Sequence, residues 1–190
     1  MNFQYLTDRL VLRIEQEQAA DKVLAFYKKN KPYFDAFELT RPDHFYTKAF
    51  HQATLKVEYQ ELLRKHIIRF YVYEKEAYLH DASTAPIIGS VSISNIRMGG
   101  FKSGMLGYKF DHDYWGMGYA KEALDQLISI AFYDLSLHRL EAYIMPNNVR
   151  SIHLIKTLSF SYEGCDRKSI EVNHRFEDHE RYARIKNELL

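Results

Sequence analysis

Two glycines separated by a single residue, Gly116 and Gly118, constrain the fold of this chain more than any other feature. They stand between a strand-like run that ends at Phe110 and a helix-like run that follows them. Glycine adopts backbone angles that other residues avoid, so the pair allows a sharp reversal from strand to helix. The first turn of a helix carries free backbone N–H groups that attract phosphate. The spacing therefore predicts a strand, an anion-binding turn and a helix, with a purely structural tight connection as the alternative.

Several other chemistries are disfavoured by what the sequence lacks. The glycine turn has neither the Gly-Lys-Ser/Thr of a P-loop nor the third glycine of a dinucleotide-binding fold. The nine histidines are scattered and form no His-Glu-x-x-His or Cys-His cluster. We therefore expect neither nucleoside triphosphate chemistry nor a bound metal.

The overall composition indicates a folded protein of the cell interior. Lys and Arg number 26 against 25 Asp and Glu, so no single-sign field favours nucleic acid or an anionic membrane as a partner. Cys165 is the single cysteine and cannot form an internal disulfide. Neither an export signal nor an apolar run of about 18 residues is recognisable. These features predict a cytoplasmic protein with no membrane or nucleic-acid partner.

Hydrophobic periodicity predicts an α+β protein with a central antiparallel meander. After Phe110 the order changes to helix, strand, helix and a final hairpin, which is typical of a crossover unit. No internal repeat or domain boundary is visible, so residues 1–190 are expected to form one domain. The predicted strands cover residues 10–14, 68–74, 87–96, 105–110, 140–145, 160–170 and 176–185. The predicted helices cover residues 16–29, 54–68 and 118–133 and a segment beginning at Asn148, with an aromatic-rich loop over residues 30–46.

The run from Gly107 to Ala123 resembles the acetyl-CoA signature of the GNAT N-acetyltransferases, Arg/Gln-x-x-Gly-x-Gly/Ala. Trp115, Gly118 and Ala120 stand at its three defined positions. Tryptophan at the first position is common in the subgroup that acetylates the N-termini of ribosomal proteins. Residues 7–13, 88–95 and 148–160 are also similar to that subgroup, although Ser159 replaces a glycine that is usual there. The likeness extends over residues 7–184, nearly the whole chain.

This resemblance implies the fold, the co-substrate and a set of binding residues. The implied fold is a single GNAT domain with a mixed, mostly antiparallel sheet of six to seven strands, flanked by helices. Its splayed central strands would bind acetyl-CoA, with no metal. The residues expected at the cofactor are Tyr108, Phe110, Trp115, Gly116, Met117, Gly118, Tyr119, Ala120, Asn148 and Ser151.

The resemblance also assigns two catalytic residues. Acetyl transfer from a thioester to an amine needs a neutral amine, a stabilised oxyanion and a proton for the departing thiolate. Glu171 matches the glutamate proposed as the base, and Ser151 matches the serine that protonates the sulfur. The alternatives are a solvated carboxylate at the hairpin end and a hydroxyl that only completes a helical turn capped by Asn148. The oxyanion is expected to meet a backbone N–H on the strand over residues 106–110.

The aromatic-rich loop corresponds in position to the acceptor side of the subgroup. Tyr33 and Phe37 are expected to form an apolar wall for the substrate, while Asp35 or Glu38 attracts a cationic amine. The alternative is a packed surface loop without a binding role.

The sequence-based hypothesis is therefore direct transfer of acetyl from acetyl-CoA to a primary amine in a ternary complex. The favoured acceptor is the N-terminal α-amine of a protein such as a ribosomal protein. Two alternatives stay open: a small amine such as a polyamine, aminoglycoside or amino acid, and a non-catalytic CoA-binding module. An exposed final strand can also pair with a second copy of the chain, giving a homodimer.

Overall fold

The chain folds around one open sheet with helices on both faces. The structure is a computed structural model that describes residues 1–186. The strands are β1 (Gln4–Leu6), β2 (Leu10–Arg13), β3 (Ile68–Glu74), β4 (Gly89–Arg97), β5 (Ser103–Phe110), β6 (Arg139–Ile144), β7 (Ser161–Val172) and β8 (Arg175–Ile185). The helices are α1 (Ala20–Phe34), α2 (Lys48–Leu63), α3 (Lys75–His80), α4 (Tyr119–Ser129) and α5 (Val149–Thr157). The predicted α+β class is confirmed.

The strands lie in the order β1-β2-β3-β4-β5-β6-β8-β7, and β5 with β6 is the parallel pair of this sheet. The meander from β2 to β5 is antiparallel, as predicted. The expected count of six to seven strands is wrong, because the described sheet has eight. The additional strand is β1, which has three residues and pairs with β2. Such a short strand is too brief for an alternating pattern to reveal.

The two faces of the sheet are covered by different helices. On β3, Phe70 and Val72 point to the face covered by α4 and α5, where the larger apolar core lies. Tyr71 and Tyr73 point to the opposite face, which packs against α1, α2 and α3. Because side chains alternate across a strand, one short segment supplies both cores.

The parallel pair β5 and β6 stays together over only a few residues. Their register runs from Ser103 opposite Arg139 to Met105 opposite Glu141. Beyond these positions β5 continues along β4 as far as Phe110, and β6 continues along β8. The two strands therefore diverge and leave a cleft near the middle of the sheet, as the splayed strands of the sequence hypothesis require.

Helix α1 is longer than predicted and takes up part of the expected loop. It continues through Pro32 to Phe34, whose ring packs against Phe26 at 5.4 Å between centroids. Asn30 is fully buried; its side chain donates to the Phe26 carbonyl at 3.0 Å and accepts from the His112 N–H at 2.9 Å. Tertiary packing therefore overrides the helix-ending tendency of proline.

The final strand of the described chain is not an edge strand. β8 lies between β6 and β7, so the exposed edge on this side of the sheet is β7. The expectation of an exposed final strand is wrong in this respect, and pairing with a second copy stays a prediction without support from β8.

No helix within residues 1–186 combines the length and apolar character that crossing a bilayer would require.

Candidate active site

The glycine turn between β5 and α4 presents a row of unpaired backbone donors. Gly116 and Gly118 have φ angles of +77° and +80°, so both occupy the left-handed region that favours glycine. Gly118 precedes the first residue of α4 and its carbonyl accepts from the Glu122 N–H at 3.1 Å. Within residues 1–186 the N–H groups of residues 116–121 donate to no protein acceptor. With the positive end of the α4 dipole, these donors form an anion-binding turn.

Three aromatic side chains of this segment fix the turn by hydrogen bonds to Phe110 and Glu74. The Trp115 indole N–H donates to the Phe110 carbonyl at 2.9 Å, which closes the loop between strand and turn. The hydroxyls of Tyr114 and Tyr119 donate to the Glu74 carboxylate at 3.3 Å and 2.9 Å. The geometry of the turn is thereby fixed by the end of β3 as well as by its own sequence.

Trp115 also makes a cation–π contact with an arginine that sequence analysis missed. The guanidinium carbon of Arg150, in the first turn of α5, lies 3.4 Å from the centre of the Trp115 ring. His112 packs edge-on against the same indole, and Tyr33 stacks on His112 with centroids 4.1 Å apart. This stack connects the starts of α4 and α5 across the end of the cleft.

Tyr108 and Ser151 meet beside the diverging strands. The Tyr108 hydroxyl lies 2.6 Å from Ser151 Oγ and 3.1 Å from the Ser151 carbonyl oxygen. Burial raises the pKa of Tyr108 to about 12, although the Ser151 hydrogen bond acts in the opposite direction. Tyr108 is therefore protonated at neutral pH and bonds directly to the residue predicted to protonate the sulfur.

Asn148 caps α5 and keeps one group free. Its side-chain oxygen accepts from the Ser151 N–H at 3.2 Å, so the structure has the capping geometry that was one of two alternatives. Among the described residues its amide NH₂ has no acceptor. Capping and ligand contact are thus compatible, because they use different atoms.

The other predicted cofactor residues divide between backbone and side-chain roles. Phe110 is buried in the core, and its carbonyl is taken by Trp115. Met117 is exposed, and Ala120 packs half-buried against the core. For Met117, Tyr119 and Ala120, the groups without a protein acceptor among the described residues are the backbone N–H groups. The cofactor contacts themselves stay predictions.

Glu171 lies near the tip of the final hairpin and is exposed. It is opposite Phe176 in the β7–β8 register, and its carboxylate is 3.7 Å from Nδ1 of His174. No hydrogen bond joins Glu171 to Tyr108 or Ser151 within residues 1–186. Its role as the base therefore stays a prediction, on a side chain that is exposed to solvent.

The hairpin tip is attached to the segment after α1. The Asn173 amide donates to the Asp35 carbonyl at 2.6 Å, and the His174 N–H donates to Thr40 Oγ1 at 3.1 Å. Leu39 forms an isolated antiparallel bridge with Val172. Residues 35–40 therefore lie beside Glu171, as the predicted acceptor-side position requires. Phe37 lies in this segment, whereas Tyr33 belongs to the aromatic stack on Trp115.

The acidic residues of this segment already have basic partners. Arg41 donates to Asp35 and Glu38 at 2.8 Å and 2.7 Å, and Lys109 of β5 pairs with Glu38 as well. Burial would raise the pKa of Glu38, but Lys109 and Arg41 lower it below its ordinary value. Neither carboxylate is unpaired in this structure, and the expectation that Asp35 or Glu38 attracts a cationic amine stays a prediction that these ion pairs do not favour. Sequence alone gave no sign of these pairs.

The residues present suit coenzyme A. Free N–H groups at a helix start suit its pyrophosphate, and the cleft between β5 and β6 suits an extended pantetheine arm. No group of three or more metal-ligating side chains occurs within residues 1–186.

Comparison with known proteins agrees with this geometry. Residues 9–161 match the family described as Acetyltransferase (GNAT) domain. YjcK of Bacillus subtilis, a probable N-acetyltransferase, is 32% identical over 161 residues and 85% of each chain. The [ribosomal protein uS5]-alanine N-acetyltransferase of Escherichia coli is 30% identical over 91% of this chain and 86% of the relative. The crystal structure of ribosomal-protein-S5-alanine acetyltransferase from Vibrio fischeri superposes with a TM-score of 0.88, at 25% identity over 98% of both chains.

Proposed function

This chain belongs to the GNAT family of acetyltransferases, and from that premise we propose that its acceptor is the N-terminal α-amine of a protein, in particular a ribosomal protein. The reaction is transfer of an acetyl group from acetyl-CoA to an amine. A ribosomal acceptor agrees with the names of relatives that match along most of the chain. Such an acceptor would be met in the cytoplasm.

The observation that carries this proposal is the charge balance beside Glu171. A polyamine or an aminoglycoside carries several positive charges and would require unpaired carboxylates around the acceptor position. Asp35 and Glu38 are instead paired with Arg41 and Lys109. The segment exposes Phe37 and Leu39, and Phe176 is exposed opposite Glu171. An apolar rim with one carboxylate that has no Lys or Arg partner within residues 1–186 suits a polypeptide terminus with a single ammonium group.

Glu171 acts on the amine. An α-amine has a pKa of about 8 and is mostly protonated at neutral pH, so it must lose a proton before it can attack. Glu171 accepts this proton, directly or through water. Its exposed position lets it return the proton to solvent after each turnover.

Tyr108 and Ser151 act at the sulfur. When bound, acetyl-CoA supplies the acetyl group as an activated thioester. The N–H groups of residues 116–121 would hold its pyrophosphate, and the free amide of Asn148 would hold the pantetheine arm. The Ser151 hydroxyl would donate a hydrogen bond and then its proton to the departing thiolate. The Tyr108 hydroxyl, a weak acid because of its raised pKa, orients Ser151 and returns a proton to it, and solvent reprotonates Tyr108.

The acceptor class can be tested with purified enzyme, labelled acetyl-CoA and matched acceptors. We expect a lysine-free peptide that begins with alanine to be acetylated on its α-nitrogen, located by mass spectrometry. The same peptide with a blocked α-amine and an added lysine should not react, and neither should a polyamine. A polyamine or lysine acceptor that reacts faster than the free α-amine would overturn the proposal.

The role of Glu171 predicts a pH-dependent defect. Glu171→Gln should lower turnover by about 100-fold at pH 7, because the positioned proton acceptor is lost. The defect should shrink toward about pH 9, where most of the amine is already neutral. Glu177→Gln is the matched control, since this carboxylate lies on β8 of the same hairpin and pairs with Lys168. Turnover of Glu171→Gln equal to the control at pH 7 would remove Glu171 from the mechanism.

The Tyr108–Ser151 pair predicts non-additive losses. Ser151→Ala and Tyr108→Phe should each lower kcat by about 10-fold or more while the Kd of CoA changes much less. The double variant should lose little beyond Ser151→Ala, because both hydroxyls serve one proton transfer. Tyr133→Phe, on an exposed tyrosine, is the control. Equal losses in kcat and CoA affinity would mean that the hydroxyls serve binding instead.

A further inference from the structure

A carboxylate on α4 is bound by the segment that precedes β2. Glu122 Oε1 accepts from the Thr7 hydroxyl at 2.6 Å and from the Arg9 N–H at 2.8 Å. Glu122 Oε2 accepts from Arg9 Nε at 2.7 Å. Thr7 and Glu122 are 115 positions apart in sequence, and Arg9 and Glu122 are 113 positions apart. They fix the Arg9 side chain although it is about half exposed, at 47%.

Arg9 reaches from Glu122 to the anion-binding turn. Its Nη1 donates to the Met117 carbonyl at 2.9 Å. Its guanidinium lies over the Tyr119 ring, 4.5 Å from the centroid. Nη2 lies 3.3 Å from the position that a Cβ on Gly118 would occupy. One side chain therefore contacts Met117 and Tyr119 and fills the space beside Gly118 that a Cβ would need.

The bond to the Met117 carbonyl determines the direction of the next amide. A trans peptide is planar, so the carbonyl of Met117 and the N–H of Gly118 point in opposite directions. With the carbonyl held toward Arg9, the Gly118 N–H is directed away from Arg9. Gly118 has a φ of +80° and no Cβ, so its own conformation restrains this peptide weakly.

The segment that carries Arg9 is itself anchored to the sheet. The Lys75 N–H donates to the Arg9 carbonyl at 2.8 Å, and Lys75 Nζ donates to the Thr7 carbonyl at 2.9 Å. The Thr7 hydroxyl accepts from the Leu10 N–H at 3.0 Å. Arg9 is thus a rigid support for the turn and not a flexible surface residue.

We propose that Arg9 is a positioning residue for the binding of acetyl-CoA. Arg9 holds the Met117–Gly118 peptide in the orientation that binds pyrophosphate, and Thr7 and Glu122 hold Arg9 in place. Glu122 neutralises the charge of Arg9, so the contribution is one of geometry and not of net charge. A lysine cannot reproduce it, because a single ammonium group does not form the forked bonds to Glu122 and the Met117 carbonyl together.

The proposal predicts a selective loss of cofactor affinity. Arg9→Met should raise the Kd of CoA, measured by calorimetry, by about 10-fold, while kcat at saturating acetyl-CoA stays within about twofold. Arg9→Lys should lose nearly as much affinity as Arg9→Met. Glu122→Gln should cause a smaller loss of about threefold, because the amide retains part of the bonding to Arg9.

Arg13→Met is the matched control. Arg13 is the last residue of β2, four positions after Arg9, and has similar exposure, but it pairs with Glu15 and Tyr78 instead of the turn. The CoA affinity of Arg13→Met should equal that of the unmodified protein. The titration of the unmodified protein also tests whether the chain binds CoA at all. Thermal unfolding of each variant identifies a general loss of structure; if Arg9→Met does not fold, Arg9→Lys and Glu122→Gln decide. Unchanged CoA affinity in folded Arg9→Met, or full affinity in Arg9→Lys, would overturn the proposal.

Discussion

The backbone N–H groups of residues 116–121 are the feature on which the rest of this structure depends. They lack protein acceptors within the described chain and point out of a helix start whose dipole favours negative charge. The two left-handed glycines make this exposure of the backbone possible. The strands β5 and β6 pair only from Ser103 to Met105, and Tyr108 and Ser151 meet beyond the point where the pairing ends.

The turn is stabilised by two charged side chains that are distant from it in sequence. Glu74 receives the hydroxyls of Tyr114 and Tyr119, and Arg9 holds the Met117 carbonyl. Arg9 and Glu74 lie at the same end of the β2–β3 pair, where Leu10 is opposite Glu74, and together they frame the glycine turn. Residues 7–13, which resemble the ribosomal-protein acetyltransferases, include Thr7 and Arg9, and these two bond to Glu122 and Met117 although they lie far from them in sequence.

Sequence predicted the features that depend on local chemistry. The glycine turn, the strand over residues 68–74 and the Asn148 cap follow from residue type and periodicity, and the structure has them. Local rules failed at α1, where Pro32 suggested a loop. The buried bonds of Asn30 and the packing of Phe34 keep that segment helical.

The side-chain pairs around the site could not be predicted in the same way. Arg9 with Glu122, Arg150 with Trp115 and Glu38 with Lys109 join residues on separate elements. Periodicity specifies which face of an element is buried, but it does not specify which charged residue of another element lies opposite. The contact of residues 35–40 with the final hairpin agrees with the acceptor side that the sequence hypothesis proposes, but the pairing of Asp35 and Glu38 could not be foreseen.

The binding of coenzyme A by the turn amides can be measured directly. The chain has eight glycines, so glycine-selective ¹⁵N labelling gives a spectrum in which individual amides can be followed during a CoA titration. We expect the Gly116 and Gly118 N–H signals to move strongly downfield as phosphate oxygens accept their hydrogen bonds, while Gly99 and Gly100 stay in place. Saturation of the protein with CoA, confirmed by calorimetry, without movement of the Gly116 and Gly118 signals would contradict this account.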